Sequence, residues 1–310
     1  MIGLSIVIPC HNEEEVFAEL RRRLESVTLD LAESFEIILV DDGSTDHTWN
    51  LMQELGKQDS HYVCIKLTRN FGHQRALTAG LDFARGQRIL ILDADLQDPP
   101  ELLPEMLTLM DQGYHVVYGQ RIDRQGEGHF KRWTASLFYR LINRLAERPI
   151  PVDTGDFRLL SRKALDALKS MPEYHRFVRG MVSWVGLAQV AIPYTRQPRV
   201  AGQSKYPLPR MIGFALDAIT GFSIKPLTIA SWLGAASASF GVLLIAYSLY
   251  SWLFLNAVHG WTSIIAALAV FNSIQLLVLG VLGEYLGRLY EQSKNRPLYL
   301  VDEVFRSHEA

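Results

Sequence analysis

Short apolar runs alternate with amphipathic segments through the first two hundred residues of the chain. Turn residues bound each run, as they bound buried strands, and the segments between the runs show helical periodicity. The predicted strands cover residues 4–9, 36–40, 63–67, 88–92 and 115–118. Strands and helices in this alternation predict an α/β domain whose mostly parallel sheet is covered by helices.

A second pattern, without charge, follows this alternation. The 58 residues between Lys225 and Glu284 include no Asp, Glu, Lys or Arg. A helix needs about 20 apolar residues to cross a bilayer. The interval therefore predicts two C-terminal transmembrane helices, at 227–254 and 261–286, joined by residues 255–260. A buried helical hairpin of a globular protein is the alternative, but its helices would normally carry a polar face.

Charges around the two predicted spans indicate their orientation. Residues 255–260 contain no Lys or Arg, whereas basic residues flank the other ends of the spans: Lys205, Arg210, Lys225, Arg288, Lys294 and Arg296. The positive-inside rule therefore places both ends of the hairpin in the cytoplasm. The N-terminus lacks the charged region and cleavage site of a signal peptide, so the α/β domain is expected in the cytoplasm too. Residues 211–222 mix apolar and charged positions, which predicts an interfacial helix.

Composition and charge narrow the class further. The 310 residues carry 31 basic and 33 acidic side chains, a balance without the basic face of nucleic-acid-binding proteins, so we expect no nucleic-acid partner. Cys10 directly follows one predicted strand and Cys64 falls in another. The two match neither a disulfide framework nor a zinc motif, which suits a reducing compartment. Gly283 and Gly287 are spaced for close helix packing, either within one hairpin or in a homo-oligomer.

Polar side chains follow the first two predicted strands. Ligands of parallel α/β sheets bind beyond the carboxyl ends of the strands. Carboxylate and amide oxygens there can accept hydrogen bonds from a nucleobase or a ribose hydroxyl. The alternative is a turn with a helix N-cap, for which Ser44 and Thr45 are suited. The residues at these two strand ends are Pro9, Asn12, Glu13, Asp41 and Asp42.

Three oxygen-bearing side chains follow the fourth predicted strand, at Asp93, Asp95 and Gln97. If the segment is extended, alternate residues face the same side. Oxygen ligands in that arrangement suit Mg²⁺ or Mn²⁺, which commonly bridge to substrate phosphates. The alternative for this segment is structural, with Asp98 before Pro99 capping a helix.

Glycine-rich phosphate loops of the GxGxxG and GxxxxGK[ST] types do not occur in the sequence. A nucleotide would therefore be bound through a metal and basic side chains. The basic residues available ahead of the first span are Arg69, Arg75, Arg121, Arg124, Lys131, Arg132, Arg176, Arg179, Arg199 and Lys205. For each of them, a solvated surface charge is the alternative.

Eight motifs occur in order over nearly the whole chain. They are SIVIP at 5–9, NE at 12–13, VDDGS at 40–44, TRNFG at 68–72, LDADLQDP at 92–99, GDFRL at 155–159, GQSKY at 202–206 and GEYLGR at 283–288. Together they resemble the polyprenyl-phosphate branch of glycosyltransferase family 2. The likeness is closest to the bactoprenol glucosyltransferases, whereas dolichol-phosphate mannose synthases and aminoarabinose-transferring enzymes are more distant cousins.

This resemblance implies a GT-A fold, which is a Rossmann-like α/β catalytic domain. It implies that Asp95 and Gln97 hold a divalent metal, Mg²⁺ or Mn²⁺, and that Asp156 corresponds to the proposed catalytic aspartate. The mannose synthases carry no acid at that position. The implied nucleotide-sugar site comprises Pro9, Asn12, Glu13, Asp41, Asp42, Arg69, Asn70, Asp93 and Arg121.

The expected reaction is attack by a lipid phosphate oxygen on the anomeric carbon of a nucleotide sugar. UDP-glucose and undecaprenyl phosphate are the first choices of substrate, with GDP-mannose as the alternative donor. A catalytically inactive nucleotide-sugar sensor and a processive polysaccharide synthase are rival interpretations. The expected divisions are a cytoplasmic catalytic domain at 1–205, an interfacial region at 206–226, a transmembrane hairpin at 227–288 and a cytoplasmic tail at 289–310. The protein is then a multi-pass protein of the bacterial inner membrane.

Two kinds of side chain are expected to act on the acceptor: the acid Asp156, and a set of mostly basic residues that bind the lipid phosphate. A phosphate monoester has a second pKa near ~6, so the acceptor needs little help from a base. We therefore expect Asp156 to orient groups or to stabilise charge, the alternative being a loop carboxylate paired with Arg158 or Arg162. The expected ligands of the acceptor phosphate are Arg176, Arg179, Arg199, Ser204 and Lys205.

Overall fold

The computed structural model describes residues 2–29, 31, 33–123, 154–196, 223–254 and 260–306. The chain forms two compact units. The first holds the described residues up to 196 and those from Pro297 onward, and the second holds those from 223 to Arg296. The helices and strands of the first unit are β1 (Leu4–Cys10), α1 (Glu14–Thr28), β2 (Phe35–Asp41), α2 (Thr48–Gln58), β3 (Tyr62–Leu67), α3 (His73–Phe83), β4 (Arg88–Ile91), a 3₁₀ helix (Pro100–Leu102), α4 (Leu103–Asp111), β5 (Val116–Asp123), β6 (Thr154–Ser161), α5 (Arg162–Lys169), α6 (Val178–Val185), β7 (Gln189–Thr195) and β8 (Val301–Arg306).

Eight strands of the described residues form one sheet, in the order β7-β5-β6-β4-β1-β2-β3-β8. Strands β4, β1, β2 and β3 run parallel to one another. β6 lies antiparallel between β4 and β5, and β8 is antiparallel to β3. The expected α/β domain with a mostly parallel sheet is therefore confirmed.

The five predicted strands match β1 to β5, with bounds that differ by a few residues. Three further strands, β6, β7 and β8, were not predicted. β6 contains the charged residues Asp156 and Arg158 although it is buried along almost its whole length. β7 contains Pro193, and β8 follows the apolar helices, in residues 289–310 that were expected only to be a tail.

The parallel strands are buried on both faces, as crossover helices require. Every residue of β1 is buried. Helix α1 covers one face with Val16, Leu20 and Leu24. On the opposite face, α3 approaches β1 so closely that a Cβ added to Gly80 would lie 2.4 Å from a methyl carbon of Val7. This close packing fixes α3, and thereby its first residues, against the sheet.

The second unit contains two long helices, α7 (Lys225–Phe254) and α8 (Trp261–Ser293). They contact each other through the rings of Phe240 and Phe271, whose centroids are 6.2 Å apart. The segments Lys225–Ser251 and Val270–Ser293 are long and apolar enough to cross a membrane, and almost none of their most apolar residues is buried. Many large apolar side chains of α7 and α8 are exposed.

Candidate active site

Three loops meet at the carboxyl edge of β1, β2 and β3. The backbone of Gly43 has a φ of +65°, and a Cβ added there would lie 2.5 Å from the backbone nitrogen of Asn70. Glycine is therefore required where these two loops cross. Asn12 joins the first loop to the second, because its Oδ1 accepts a hydrogen bond from the Thr45 N–H at 2.8 Å. Its own N–H donates to Ser44 Oγ at 3.0 Å.

The acidic pair at the end of β2 is buried within these loops. Asp42 accepts hydrogen bonds from the backbone N–H groups of Phe71, at 2.7 Å, and Gly72, at 2.9 Å. Asp41 accepts from the Ser44 N–H at 3.2 Å. Burial raises the pKa of both carboxyls. Asp42, like Asn12, is thus engaged in holding loops together, a role in addition to the expected nucleotide contact.

The other residues expected near the nucleotide lie at the same edge. Pro9 is in β1 opposite Val40, and Glu13 comes directly before α1. Arg69 is exposed, and its guanidinium carbon lies 4.2 Å from the centre of the Phe71 ring. Asn70 Nδ2 lies 3.1 Å from His11 Nε2.

The segment after β4 is not extended as expected. β4 ends at Ile91, residues 94–96 form a turn, and Leu96 has a φ of +58°. Asp95 Oδ1 accepts a hydrogen bond from the Gln97 N–H at 3.2 Å within this turn. Asp93, Asp95 and Gln97 are nevertheless all partly exposed, whereas the residues between them are buried. The expected extended backbone is wrong, but the three side chains remain partly exposed.

Asp156 lies in the middle of strand β6 and is 2% exposed. Its Oδ1 lies 2.8 Å from Arg179 Nε, and its Oδ2 accepts from Gln74 Nε2 at 2.9 Å. His73 Nε2 lies 3.3 Å from the same Oδ2 and 3.4 Å from Asp93 Oδ1. The alternative of a loop carboxylate paired with Arg158 or Arg162 is therefore wrong.

Opposite charges set the protonation of this cluster. Burial raises the pKa of Asp156, but Arg179 and His73 more than compensate and hold that pKa well below its usual value. Burial lowers the pKa of His73, but the carboxylates of Asp93 and Asp156 raise it more, to about 9. For Asp93, burial and the neighbouring carboxylates outweigh His73 and raise the pKa to about 6. Asp156 is therefore a carboxylate, and His73 an imidazolium, at neutral pH.

Two groups of residues could hold a divalent metal. Ligand atoms of His73, Asp93 and Asp156 lie within 4.8 Å of one another. In this cluster Arg179 pairs with Asp156, and His73 lies within 3.4 Å of both carboxylates, so the acidic groups have basic partners within the protein. Asp95 and Gln97 offer accessible oxygen atoms of the kind that Mg²⁺ and Mn²⁺ prefer. Asp93, two residues before Asp95, has a buried Oδ1 whose nearest described basic atom is His73 Nε2, at 3.4 Å. The donors on the 93–97 segment fit the expected metal.

Arg121 is held over the backbone of Gly155. Its Nε donates to the Tyr194 hydroxyl at 3.1 Å, and its Nη2 lies 3.5 Å from Asp98 Oδ1. Tyr194 also donates to Asp98. A Cβ added to Gly155 would lie 2.6 Å from Arg121 Nη2, so only glycine leaves room for this guanidinium without displacing it. Asp98 accordingly orients Arg121, and the helix cap considered for it is wrong.

The residues expected to bind an acceptor phosphate are not all brought together. Arg179 reaches the site through its pair with Asp156. Arg176 instead donates to the carbonyl of Leu168 at 2.9 Å and lies near Asp82, close to the end of α3 remote from His73. The structure thus places Arg176 away from Asp156. Arg199, Ser204 and Lys205 lie outside the described residues.

His73, Gln74 and Tyr194 belong to these networks but were not predicted. His73 and Gln74 directly follow the TRNFG motif and begin α3. Their position after this motif could therefore have been used to predict that they lie at the carboxyl edge of the sheet. Their partner Asp156, however, is distant in sequence and lies on a strand that was not predicted. Tyr194 lies on β7, another such strand.

Known proteins place the chain in a family. The sequence profile described as Glycosyl transferase family 2 matches residues 5–169. The uncharacterized glycosyltransferase YkcC of Bacillus subtilis (strain 168) is 46% identical over 98% of this chain and 94% of its own length. The bactoprenol glucosyl transferase of Shigella phage SfV is 38% identical over 96% of this chain and 97% of its own. The chain belongs to glycosyltransferase family 2 and is a glycosyltransferase.

The fold agrees with this membership. Mannosyl-3-phosphoglycerate synthase from Rubrobacter xylanophilus superimposes with a TM-score of 0.51 at 19% identity, covering 70% of this chain and 72% of that one. At that identity the likeness concerns the fold alone. The catalytic unit has the expected GT-A fold.

Proposed function

We propose that this glycosyltransferase transfers glucose from UDP-glucose to undecaprenyl phosphate at the cytoplasmic face of the membrane. The observation that carries the proposal is similarity along almost the whole chain, the two apolar helices included, to proteins named bactoprenol glucosyl transferase. An acceptor that lies in a bilayer also gives a reason for the long, unburied apolar helices. Mannose from GDP-mannose is the second candidate donor.

In the proposed reaction, a phosphate oxygen of the lipid attacks the anomeric carbon of glucose. A carbon–oxygen bond to the lipid phosphate forms, the bond to UDP breaks, and UDP leaves with the electron pair. Asp95 and Gln97 would hold the divalent cation, which when bound offsets charge on the leaving diphosphate. Arg121 and Arg69 are the described cations proposed to act on the nucleotide sugar, because both lie beside the strand ends.

Asp156 is proposed to act by charge and orientation. Its pKa is held well below the usual value, so it is a weak proton acceptor at neutral pH. The acceptor phosphate is largely a dianion there already. Asp156 is better suited to orient Arg179 and to stabilise positive charge that develops on the sugar ring. Arg179, with Arg199, Ser204 and Lys205 outside the described residues, is proposed to bind the lipid phosphate.

Nucleotide release distinguishes the candidate substrates. The purified full chain in detergent is incubated with Mg²⁺ or Mn²⁺, undecaprenyl phosphate and one of UDP-glucose, UDP-galactose or GDP-mannose, and free nucleotide and lipid product are both measured. We expect lipid-linked glucose and UDP, formed only with the lipid phosphate present. Preference for GDP-mannose would reassign the donor. Nucleotide release without a lipid product would reject the acceptor.

The proposed topology can be tested by thiol labelling. Cys10 and Cys64 are buried, and burial raises the pKa of both thiols, so the wild-type background should be unreactive. Asn256→Cys lies in the connection between the spans, and Glu291→Cys lies near the end of α8. In intact cells a membrane-impermeant maleimide should label only Asn256→Cys. Labelling of Glu291→Cys instead would show that the orientation is opposite to the one proposed. Cross-linking between copies of the chain would test the homo-oligomer.

A further inference from the structure

Gln74 is the second residue of α3, and its amide joins two other elements of the site. Its Nε2 donates to Asp156 Oδ2 at 2.9 Å, and its Oε1 accepts from the Val178 N–H at 3.0 Å. Asp156 lies on β6, and Val178 is the first residue of α6. One uncharged side chain therefore links α3, β6 and α6.

The bond to Val178 caps helix α6 from another element. The first N–H groups of a helix have no partner inside the helix. Phe177, which precedes α6, contributes no side-chain cap. Gln74 Oε1 supplies this acceptor, and Arg179 lies in the same first turn of α6. Gln74 therefore contacts the backbone of the residue that directly precedes Arg179.

Gln74 contacts one member of the Asp156–Arg179 ion pair directly and the other through the start of its helix. We propose that Gln74 is a positioning residue for sugar transfer, which holds Asp156 in one orientation and keeps Arg179 in register with it. The inference rests on the proposed roles of Asp156 and Arg179. Misplacement of a reacting group by about 1 Å can lower a rate by about a hundredfold, so two hydrogen bonds suffice for a measurable effect.

Two substitutions separate the two contacts. Gln74→Glu keeps an oxygen for the Val178 N–H but turns a carboxylate toward Asp156, whereas Gln74→Met removes both bonds at similar size. At pH 8 we expect kcat to fall by about tenfold or more in both variants, with KM for the nucleotide sugar within about twofold. Gln58→Met, the same change at the end of α2, is the matched control and should leave kcat unchanged.

The pH profile provides a readout that helix capping alone would not change. Protonation turns the introduced glutamate into a donor that can replace Gln74 Nε2 toward Asp156. The charged groups around it are Asp156 on β6, Arg179 on α6 and His73 on α3, with Asp93 beyond His73. Relative to wild type, kcat of Gln74→Glu should recover by about threefold between pH 8 and pH 5.5, while that of Gln74→Met stays level.

A kcat within about twofold of wild type in both variants would overturn the proposal, as would equal pH dependence of the two. Should Gln74→Met fail to fold, the near-isosteric Gln74→Glu and its pH ratio decide the matter. All variants are compared with the donor and acceptor that the wild type turns over fastest. An unexpected acceptor would therefore count against the proposed function and leave the test of Gln74 intact.

Discussion

Arg179 Nε lies 2.8 Å from Asp156 Oδ1, and Arg179 Nη2 lies 3.3 Å from Asp156 Oδ2, so a forked guanidinium grips one carboxylate. A third nitrogen of the same group donates to the Thr154 carbonyl at 3.1 Å. The pair joins α6 to β6. Because the Asp156 side chain is only 3% exposed, loss of Arg179 would remove a close charged partner from a buried carboxylate that His73 and Gln74 also contact.

Replacement of Arg179 should therefore affect both stability and turnover. Arg179→Met is expected to lower the free energy of unfolding by about 3 kcal/mol, because it removes the forked cationic partner of the buried Asp156 carboxylate. Arg179→Lys keeps a charge but not the fork, so it should recover part of the stability and little of kcat. Denaturant unfolding of the full chain in detergent and initial rates measure the two effects. Full turnover by Arg179→Lys would show that the fork is unnecessary.

The stability contributed by Asp156 should vary with pH over a defined window. Its folded pKa lies below the ordinary value of 3.8, so its contribution is complete above about pH 4 and is lost as the pH falls further. His73, with a pKa raised from 6.5 to about 9, contributes fully below pH 6.5 and loses its contribution as the pH rises to about 9.

Asp156→Asn removes the first contribution and weakens the second. The difference in melting temperature between wild type and Asp156→Asn should thus be largest between about pH 4 and pH 6.5, and smaller on either side. Thermal scans from pH 3 to pH 9 measure it. A difference that grows steadily up to pH 9 would contradict the assignment of His73 as a cation.

Much of the catalytic unit could be predicted because its parallel strands are largely apolar. β6 was not predicted because its burial depends on pairing Asp156 with Arg179, which is distant in sequence. A local sequence pattern does not indicate that a strand with charged residues is buried. β7 and β8 are edge strands, where Pro193 and acidic residues are tolerated. Motifs located the acidic residues of the site, but partners such as Gln74 are defined only by contacts made in the folded chain.

The contacts that hold Arg121 in place give a prediction about the affinity for the nucleotide sugar. Gly155→Ala would place a Cβ 2.6 Å from Arg121 Nη2, and Tyr194→Phe would remove the hydroxyl that holds Arg121 Nε. The flexible Arg121 side chain can move, so Gly155→Ala should change the melting temperature little. Tyr194→Phe also removes the hydrogen bond to the buried Asp98 and should lower the melting temperature. Both variants should raise KM for the nucleotide sugar by about tenfold, matching the loss of one charged hydrogen bond. Arg121→Met is the reference, and an unchanged KM in all three variants would remove Arg121 from the donor site.

Metal dependence should follow the 93–97 segment. Of the two proposed ligands, Asp95 carries a charge and Gln97 does not, so Asp95→Asn removes the ligand charge and should raise the Mn²⁺ or Mg²⁺ concentration for half-maximal activity by about tenfold to a hundredfold. Asp111→Asn changes an exposed carboxylate that pairs with Arg88, and its metal dependence should equal that of wild type. Titration of EDTA-treated enzyme measures both. If EDTA-treated enzyme keeps full activity without added metal, Asp95 and Gln97 have another role.

β8, the last described strand, pairs with β3 at the edge of the sheet, and the side chain of Phe305 anchors it there. Phe305 packs against the hydrophobic core, and a Cβ added to Gly56 would lie 2.9 Å from its Cδ1. Phe305 is only partly buried, so Phe305→Ala should cost about 2 kcal/mol of unfolding free energy, less than the ~3–5 kcal/mol of a fully buried Phe. Val304→Ala, at an exposed position of the same strand, should cost less than about 0.5 kcal/mol. Equal losses in the two variants would mean that β8 is held by its backbone pairing to β3 rather than by the Phe305 side chain.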